Sequence, residues 1–380
     1  MEYFDFNATT PVCDEALEAL MRVTRDFHGN PSSLHRVGRR ADHILDESRH
    51  AVAEILGCQP AEIVWTSGAT ESNNMVFNHL SQHSPAGATV LISDIEHPCV
   101  RKSAHHYFGD RAITIPVTPD GVVDLQVLDK LIADHRPVCV SVMASNNETG
   151  MLQPWQDILN MCRSAGVLFH CDAAQWLGKM PGAGLGQCDF VSGASHKFTG
   201  PKGVGFLKMP AAPGWNTLIH GGGQEEGRRA GTENVAGVAA MTQALVKRNA
   251  QVTPDFITER QEIKKRFLAQ ILDRLPGSMV IGKPDQSLWN TVMIVMPDTT
   301  CQQRWVVKLD KGGYAVSSGS ACSSGQEKPS MVLTAMGFTP SHSSRALRFS
   351  GGWETSEAQW MALADALVHI HDQIRESGGE

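Results

Sequence analysis

The feature that most constrains the fold is a regular alternation between residues 60 and 210. Short apolar runs of strand length alternate there with segments of helical periodicity. Strands separated by helices form βαβ units, which pair as a mostly parallel sheet with helices on its faces. We therefore predict an α/β fold, whose strands are 62–66, 89–93, 139–144, 166–171, 189–193 and 204–208.

A second unit is predicted after residue 250. A proline within 251–255 marks a boundary. Beyond it the sequence mixes helical and strand patterns, which favours a smaller α+β domain. The predicted helices of the whole chain are 39–56, 73–83, 124–135, 235–249, 256–275 and 354–375, and the later strands are 290–295 and 314–317.

Composition and charge exclude several classes of protein. Apolar residues make up 42%, which is enough for a sizeable core, and the net charge is −7. No run of Lys and Arg suggests a nucleic-acid surface, and no apolar stretch approaches the roughly 18 residues of a membrane span. The first residues are acidic and lack the apolar region of a secretory signal. We expect a cytoplasmic protein with no membrane and no nucleic-acid partner.

The cysteine pattern indicates reduced thiols. Nine cysteines are present, an odd number, and no two are spaced as Cys-x-x-Cys. A disulfide framework is typical of short secreted chains, and paired Cys-x-x-Cys spacing is typical of zinc sites. We expect no metal site.

Lys197 and Asp172 are the first candidate pair. Lys197 follows the predicted apolar strand 189–193 and precedes a Gly/Pro-rich turn. Asp172 lies at the carboxyl end of the preceding predicted strand, 166–171. A lysine there can form a Schiff base with a carbonyl cofactor, and a carboxylate favours a protonated pyridine nitrogen. The alternatives are a surface charge for Lys197 and a helix N-cap for Asp172.

Two glycine-containing segments are candidate anion sites. Residues 67–74 follow a strand and open a helix, where free N–H groups bind anions and Thr70 adds a hydroxyl. Residues 220–234 contain three successive glycines, two arginines and Thr232. The alternatives are an ordinary capping box for the first segment and a solvated loop for the second.

Cys322 is the candidate nucleophile. Seven of the nine residues in 317–325 are Ser or Gly, so the thiol is expected to be exposed. A thiolate is a strong nucleophile, and a passive surface thiol is the alternative. His97 follows a strand and could stack on a cofactor ring. Arg348 lies in an apolar run and could bind a carboxylate through two hydrogen bonds. Structural histidines and structural ion pairs are the commoner uses.

Together these residues resemble the cysteine desulfurases of the NifS/IscS type, which are fold-type I pyridoxal-phosphate enzymes. The matching segments follow the family's order along nearly the whole chain. They are 3–11, 29–33, 66–72, 96–97, 146–150, 172–175, 196–197, 200–203, 221–224, 230–232, 317–322 and 347–350.

The resemblance implies catalytic roles for four residues. Lys197 would form the Schiff base with pyridoxal 5'-phosphate, and Asp172 would pair with its ring nitrogen. His97 would stack on the ring and move protons. Cys322 would accept sulfur from L-cysteine as a persulfide, release L-alanine and pass the sulfur to an acceptor protein, in iron–sulfur cluster assembly or another sulfur transfer.

The resemblance also implies binding residues and a homodimer. Asn147 and Gln175 would contact the ring's phenolic oxygen side, and Arg348 with Asn147 would bind the substrate. The phosphate would be held by Ala69, Thr70, Ser195, His196 and the partner subunit's Thr232. Many relatives have a phosphate-binding serine at the position of Ala194, so either Ser195 substitutes for it or that bond is absent.

The implied architecture is a large cofactor-binding domain at 13–250. A small domain made of 1–12 and 251–380 would carry the cysteine loop and the substrate-binding arginine. The alternatives on the same scaffold are a selenocysteine lyase, a cysteine sulfinate desulfinase or an aminotransferase. A catalytically idle sulfur-relay or interaction protein is a further alternative from another class.

Overall fold

The computed structural model describes residues 1–211, 214–298, 305–318 and 329–377. The strands in these ranges are β1 (Glu2–Tyr3), β2 (Ile63–Thr66), β3 (Val90–Ser93), β4 (Ala112–Ile115), β5 (Cys139–Ser141), β6 (Leu168–Asp172), β7 (Phe190–Ala194), β8 (Gly205–Lys208), β9 (Met279–Val280), β10 (Thr291–Val295), β11 (Tyr314–Ala315) and β12 (Ala346–Ser350). The helices are α1 (Asp14–Asp26), α2 (Arg36–Leu56), α3 (Ala69–His83), α4 (Pro98–Phe108), α5 (Leu125–His135), α6 (Trp155–Ala165), α7 (Val235–Gln251), α8 (Pro254–Arg274), α9 (Trp305–Lys311), α10 (Met331–Ala335), α11 (Pro340–Arg345) and α12 (Glu357–Ser377).

Seven strands form the central sheet, in the spatial order β2–β8–β7–β6–β5–β3–β4. From β7 to β4 every neighbouring pair is parallel, and β8 pairs antiparallel with both β7 and β2. The predicted mostly parallel sheet is confirmed. Strands β3, β6 and β7 therefore end at the same edge of the sheet, where ligands bind in open α/β folds.

Helices cover both faces of this sheet because alternate strand residues point to opposite sides. Along β2, Ile63 and Trp65 pack in a core cluster with residues of α2, α6 and α7. Val64 between them packs in a separate cluster with residues of α3 and α4. The continuous apolar strands of the sequence follow from this burial on two faces.

Local capping sets several helix ends. The Asp124 carboxylate accepts hydrogen bonds from the N–H groups of Gln126 and Val127 at 2.9 and 3.2 Å, and α5 begins at the next residue. Helix α2 ends where Gly57 adopts a left-handed conformation with φ 76°. Both signals are typical of helix termini, and the predicted helix 124–135 is found within one residue.

The carboxyl-terminal part forms a separate antiparallel sheet in the order β12–β10–β9. Met293 of β10 lies opposite Arg348 of β12. Helices α8 and α12 supply apolar residues to a core cluster with this sheet, and Phe4 from the start of the chain joins that cluster. The short strand β1 pairs in parallel with β11.

Two predicted strands end two or three residues early in the structure. Strand β5 ends at Ser141, although the N–H groups of Val142 and Ala144 still bond carbonyls of β6 at 3.1 and 2.9 Å. Strand β11 ends at Ala315, and Ser317 forms an isolated bridge with Arg348. Among the helices described, none is both long and apolar enough to cross a membrane.

Candidate active site

The site forms beyond the ends of two neighbouring parallel strands. Asp172 is the last residue of β6 and lies opposite Ser192 of β7. After β7 the chain enters a single 3-10 turn, Ser195–Lys197, so Lys197 follows the end of that strand. Asp172 and Lys197 are thus carried to the same edge of the sheet by two adjacent strands.

The Lys197 amine is turned inward. Its Nζ donates hydrogen bonds to the backbone carbonyls of Asn7 at 2.6 Å and Ala8 at 2.9 Å. The side chain is half-buried. These contacts with the start of the chain favour a functional lysine over a surface charge.

Asp172 is 4% exposed, and both carboxylate oxygens accept hydrogen bonds. Asn73 Nδ2 donates to Oδ2 at 2.9 Å, and the N–H of Ala174 donates to Oδ1 at 3.0 Å. No helix begins after Asp172 in the described stretch 173–184. The helix N-cap that the sequence left as an alternative is therefore absent.

His97 follows β3 and is the N-cap residue of α4, with Pro98 at the first helical position. Its Nδ1 lies 2.9 Å from Cys99 Sγ and accepts the N–H of Cys99 at 3.2 Å. Burial lowers the pKa of His97, the Asp172 carboxylate opposes this, and the Lys197 cation lowers it further. At neutral pH the neutral imidazole is therefore the favoured form of His97, which lies within electrostatic reach of both charged candidates.

Glu96 precedes His97 in the chain and is buried, with 4% of the residue exposed. Its Oε1 accepts hydrogen bonds from Ser93 Oγ at 2.7 Å and from the N–H of Met143 at 2.6 Å. Burial is the main cause that raises the pKa of Glu96 to about 8, and the nearby Asp172 carboxylate adds to it. At neutral pH this side chain is mostly a carboxylic acid.

The segment between β2 and α3 has the geometry of an anion cradle. Gly68 has φ 147° and precedes α3, and a Cβ atom added to Gly68 would meet nothing within 4 Å. A Cβ on Gly205 would lie 2.5 Å from the Gly68 Cα, so β8 supports the turn closely. Ala69 and Thr70 form the first turn of α3, whose free N–H groups favour an anion, and Thr70 is exposed.

The glycine-rich loop 220–234 is joined to this cradle. Arg229 Nε donates to Glu71 Oε1 at 2.9 Å, and the N–H of Ser67 donates to Glu71 Oε2 at 2.7 Å. Thr232, three residues after Arg229, is exposed on this chain. The two glycine-containing segments of the sequence therefore meet through one ion pair.

A buried polar cluster surrounds Asn7. Gln175 Nε2 donates to the Asn7 carbonyl at 2.8 Å, the same oxygen that Lys197 contacts. Lys179, which is fully buried, donates to Gln175 Oε1 and, at 3.0 Å, to Asn7 Oδ1. Burial lowers the pKa of Lys179 well below its ordinary value, and the charges of Lys197 and Arg348 lower it further.

Arg348 sits on β12 with only 3% of its side chain exposed. Nη2 donates to the Asp5 carboxylate at 2.6 Å, and Nη1 donates to the carbonyl of Asn147 at 2.8 Å. Asn7 Nδ2 also donates to that carbonyl, at 3.3 Å. Arg348 Nε has no hydrogen-bond partner within the described part of the chain.

The two residues before Lys197 differ in their contacts. Ser195 is fully buried, and its hydroxyl packs against Gly200. A Cβ atom added to Gly200 would lie 2.1 Å from the Ser195 Oγ, so the hydroxyl points into its own turn. His196 Nδ1 lies 3.2 Å from Thr9 Oγ1. Burial, aided by the Lys197 cation, lowers the pKa of His196 to about 4.

Cys322 lies outside the described residues, as does most of the Ser/Gly-rich segment around it. Ser317, at the start of that segment, pairs with Arg348 through the main chain. The Arg348 N–H donates to the Ser317 carbonyl at 2.7 Å, and the Ser317 N–H donates to the Arg348 carbonyl at 3.3 Å. The first residue of this segment therefore lies beside the predicted substrate-binding arginine.

A cleft of about 620 Å³ opens beside these residues, lined in part by Thr70, His97 and Cys99.

The sequence prediction assigned no role to Asn7, Asn73, Glu96, Cys99 or Lys179. Asn7 and Glu96 lie inside the segments that carried the resemblance, and Asn73 lies inside the candidate anion segment 67–74, so a signal that could have found them was present. Cys99 and Lys179 gave no such signal.

Comparison with known families gives a match across the chain. The family described as aminotransferase class-V matches residues 2–360. A curated cysteine desulfurase of Cereibacter sphaeroides is 37% identical, over 98% of this chain and 96% of that protein. The cysteine desulfurase NifS of Azotobacter vinelandii is 36% identical, over 98% of this chain and 93% of that protein.

Solved structures agree with this match. A structure described as a NifS-like protein superposes with a TM-score of 0.88 and 31% sequence identity, and the superposition covers 98% of this chain and 99% of that one. The predicted fold class and the resemblance to the NifS/IscS type are both confirmed.

Proposed function

Because the chain belongs to the class-V aminotransferase family, we propose that it is a cysteine desulfurase, which converts L-cysteine into L-alanine and holds the released sulfur as a persulfide on Cys322. Enzymes of this family use pyridoxal 5'-phosphate. The observation that carries the proposal is the arrangement of Lys197 and Asp172 at the ends of adjacent parallel strands, within electrostatic reach of His97.

The described residues fit this cofactor. Pyridoxal 5'-phosphate has an aldehyde, a pyridine nitrogen and a phosphate, and it needs an amine, a carboxylate and an anion site. Lys197 supplies the amine and Asp172 the buried carboxylate. The open space at Gly68 and the first turn of α3 suit the phosphate. When bound, the cofactor supplies the electron sink that stabilises negative charge at the substrate Cα.

Lys197 and Asp172 have complementary tasks. Lys197 would hold the cofactor through Nζ. Once the substrate amine has displaced it, the same Nζ atom would accept the proton from the substrate Cα. The Asp172 carboxylate keeps the pyridine nitrogen protonated, because a nearby negative charge favours the cationic form. The two hydrogen bonds to Asp172 fix both of its oxygens and so fix its orientation.

Arg348 would bind the substrate carboxylate. Its guanidinium already holds one carboxylate, that of Asp5, at 2.6 Å. This contact indicates that the guanidinium is oriented to bind a carboxylate. The substrate carboxylate would displace that of Asp5 or bind beside it. Asn147 adjoins the guanidinium through its carbonyl and is the second proposed contact with the substrate.

Cys322 completes the proposed reaction. Its sulfur would attack the sulfur of the bound cysteine, forming an S–S bond as the C–S bond breaks. The substrate carbon then takes a proton and leaves as alanine, so that the protein keeps one additional sulfur atom. The nearness of Ser317 to Arg348 supports this role, because the segment that contains Cys322 starts beside the proposed substrate site.

Three further features belong to the proposal. The division into a large domain at 13–250 and a small domain at 1–12 and 251–380 is supported by one core cluster whose residues all fall in the second set. A homodimer is supported by exposed Thr232, which would contact the partner subunit's phosphate. Seven described cysteines are free, as expected in the reducing, cytoplasmic setting that we propose, and a protein would accept the sulfur.

The test is the release of alanine and sulfide from L-cysteine in the presence of a reductant. We expect turnover in the unmodified protein, loss of turnover in Cys322→Ala, and normal turnover in Cys58→Ala, which removes a half-buried thiol elsewhere. Unchanged turnover in Cys322→Ala would refute the persulfide role. It would favour a selenocysteine lyase or a cysteine sulfinate desulfinase on the same scaffold, whereas no alanine or sulfide from the unmodified protein would favour an aminotransferase.

A further inference from the structure

We propose that Cys99 is a positioning residue for His97, and that its thiol, held by Asn73, fixes the His97 ring as the tautomer with its proton on Nε2. This inference rests on the proposed function only for its catalytic consequence. The tautomer itself follows from hydrogen bonds that the described residues make with one another.

The first observation concerns His97 Nδ1. This atom caps α4 by accepting the N–H of Cys99 at 3.2 Å. A ring nitrogen that accepts a hydrogen bond uses its lone pair and carries no proton. In the neutral ring the proton must then be on Nε2.

The second observation concerns the thiol. Cys99 Sγ lies 2.9 Å from the same Nδ1 atom. Burial, followed by the Asp172 carboxylate, raises the pKa of Cys99 to about 12, so the sulfur keeps its proton at neutral pH. A protonated thiol can share the single Nδ1 lone pair with its own backbone N–H in a three-centre hydrogen bond.

The third observation fixes the direction of these hydrogen bonds. Asn73 Nδ2 donates to Asp172 Oδ2 at 2.9 Å and to Cys99 Sγ at 3.1 Å, which uses both hydrogens of the amide. The carboxylate can only accept, so the amide nitrogen must face Asp172. The sulfur therefore accepts from Asn73 and donates onward to His97.

The result is one directed chain of hydrogen bonds from His97 through Cys99 and Asn73 to Asp172. It joins the residue proposed to move protons with the residue proposed to pair with the cofactor nitrogen. With Nδ1 committed, Nε2 is the only ring atom of His97 that can donate a proton. The high pKa of the thiol also favours a positioning role for Cys99 over a nucleophilic one.

The test compares three variants of the holoenzyme with the unmodified protein. Cys99→Ala removes the donor, and Cys99→Ser restores an O–H donor at the same position. Cys58→Ala is the matched control, since it removes another half-buried thiol with a raised pKa that has no contact with His97. Cofactor content measured by absorbance confirms that each variant is loaded.

The main readout is the ¹⁵N spectrum of protein labelled at histidine, with the His97 signals assigned by their loss in His97→Gln. We expect the unmodified protein to show a protonated Nε2 and an unprotonated Nδ1. In Cys99→Ala the Nδ1 signal should shift, because a donor is lost, and in Cys99→Ser it should return towards its original position. The kcat for L-cysteine should fall about fivefold to tenfold in Cys99→Ala with little change in KM.

Unchanged His97 signals in Cys99→Ala, or a proton on Nδ1 in the unmodified protein, would overturn the proposal. Equal shifts in Cys99→Ala and Cys58→Ala would do so as well, because they would indicate a general structural effect. The spectrum requires no turnover. Failure of the desulfurase assay would therefore refute the proposed function while the tautomer remains measurable.

Discussion

Ser317 and Arg348 exchange two main-chain hydrogen bonds, with the N–H of each donating to the carbonyl of the other. Cys322 follows Ser317 by five residues, which an extended chain spans in at most about 18 Å. The proposed nucleophile is therefore tethered beside the proposed receptor for the substrate carboxylate.

Arg348→Lys should raise the KM for L-cysteine about tenfold to a hundredfold and change kcat less. Lysine keeps the charge but loses the planar pair of donors that binds a carboxylate. The measurement is steady-state alanine release over a range of cysteine concentrations. Arg345→Lys, three residues earlier on α11, is the control and should leave KM unchanged. An unchanged KM in Arg348→Lys would remove this residue from the substrate site.

Lys197→Ala should lose the visible absorbance of a covalently held cofactor and all turnover. Lys197 follows the end of β7, and its amine donates hydrogen bonds to the carbonyls of Asn7 and Ala8. The absorbance spectrum after reconstitution with pyridoxal 5'-phosphate is the measurement. The exposed neighbour Lys202→Ala should keep both properties. Retention of the absorbance band in Lys197→Ala would contradict the assignment.

Glu96→Gln should change how stability depends on pH. The pKa of Glu96 is about 8 in the folded protein, whereas the ordinary pKa of a glutamate in an unfolded chain is 4.5. Between these values the native state binds more protons, so Glu96 destabilises the wild-type protein increasingly as the pH rises. The Glu96→Gln variant lacks this titration. Its free energy of unfolding should therefore rise relative to that of the wild type, by on the order of 4 kcal/mol between pH 4.5 and 8.

The measurement for Glu96 is urea unfolding at a series of pH values between 5 and 8. Glu18→Gln on the exposed face of α1 is the control and should show no such trend relative to wild type. A difference between Glu96→Gln and wild type that stays constant across the series would show that Glu96 does not retain its proton in the folded protein.

Arg229→Gln should weaken the binding of pyridoxal 5'-phosphate about tenfold. Arg229 neutralises Glu71 beside the first turn of α3, and without it the uncompensated carboxylate repels a phosphate. Titration of apoprotein with the cofactor is the measurement. The double variant Glu71→Gln with Arg229→Gln should recover part of the loss, because it removes the repelling charge as well. No recovery would indicate that the loop position, and not the charge, determines affinity.

The sequence predicted the central sheet well because its strands are buried on both faces and therefore appear as separate apolar runs. All six predicted strands of 60–210 lie in the sheet. Their spatial order was not predictable, since hydrophobic periodicity gives no information about which strands pair. The antiparallel insertion of β8 between β2 and β7 is an example.

The candidate site was predictable where a residue lies inside a recognisable segment, as Lys197 and Asp172 do. It was not predictable where a contact depends on distant parts of the chain. Asn7 lies 190 residues from Lys197 in sequence and still binds its amine through the main chain. Lys179 and Cys99 belong to the site through burial and hydrogen bonding, which no local pattern records.

The most direct test of the central claim is the mass of the peptide that contains Cys322 after reaction with limiting L-cysteine in the absence of a reductant. We expect this peptide, trapped by alkylation, to carry one additional sulfur atom, and alanine to form in equal amount. Lys197→Ala should form neither product. Alanine formation with the additional sulfur absent from Cys322, or present on another cysteine, would contradict the account.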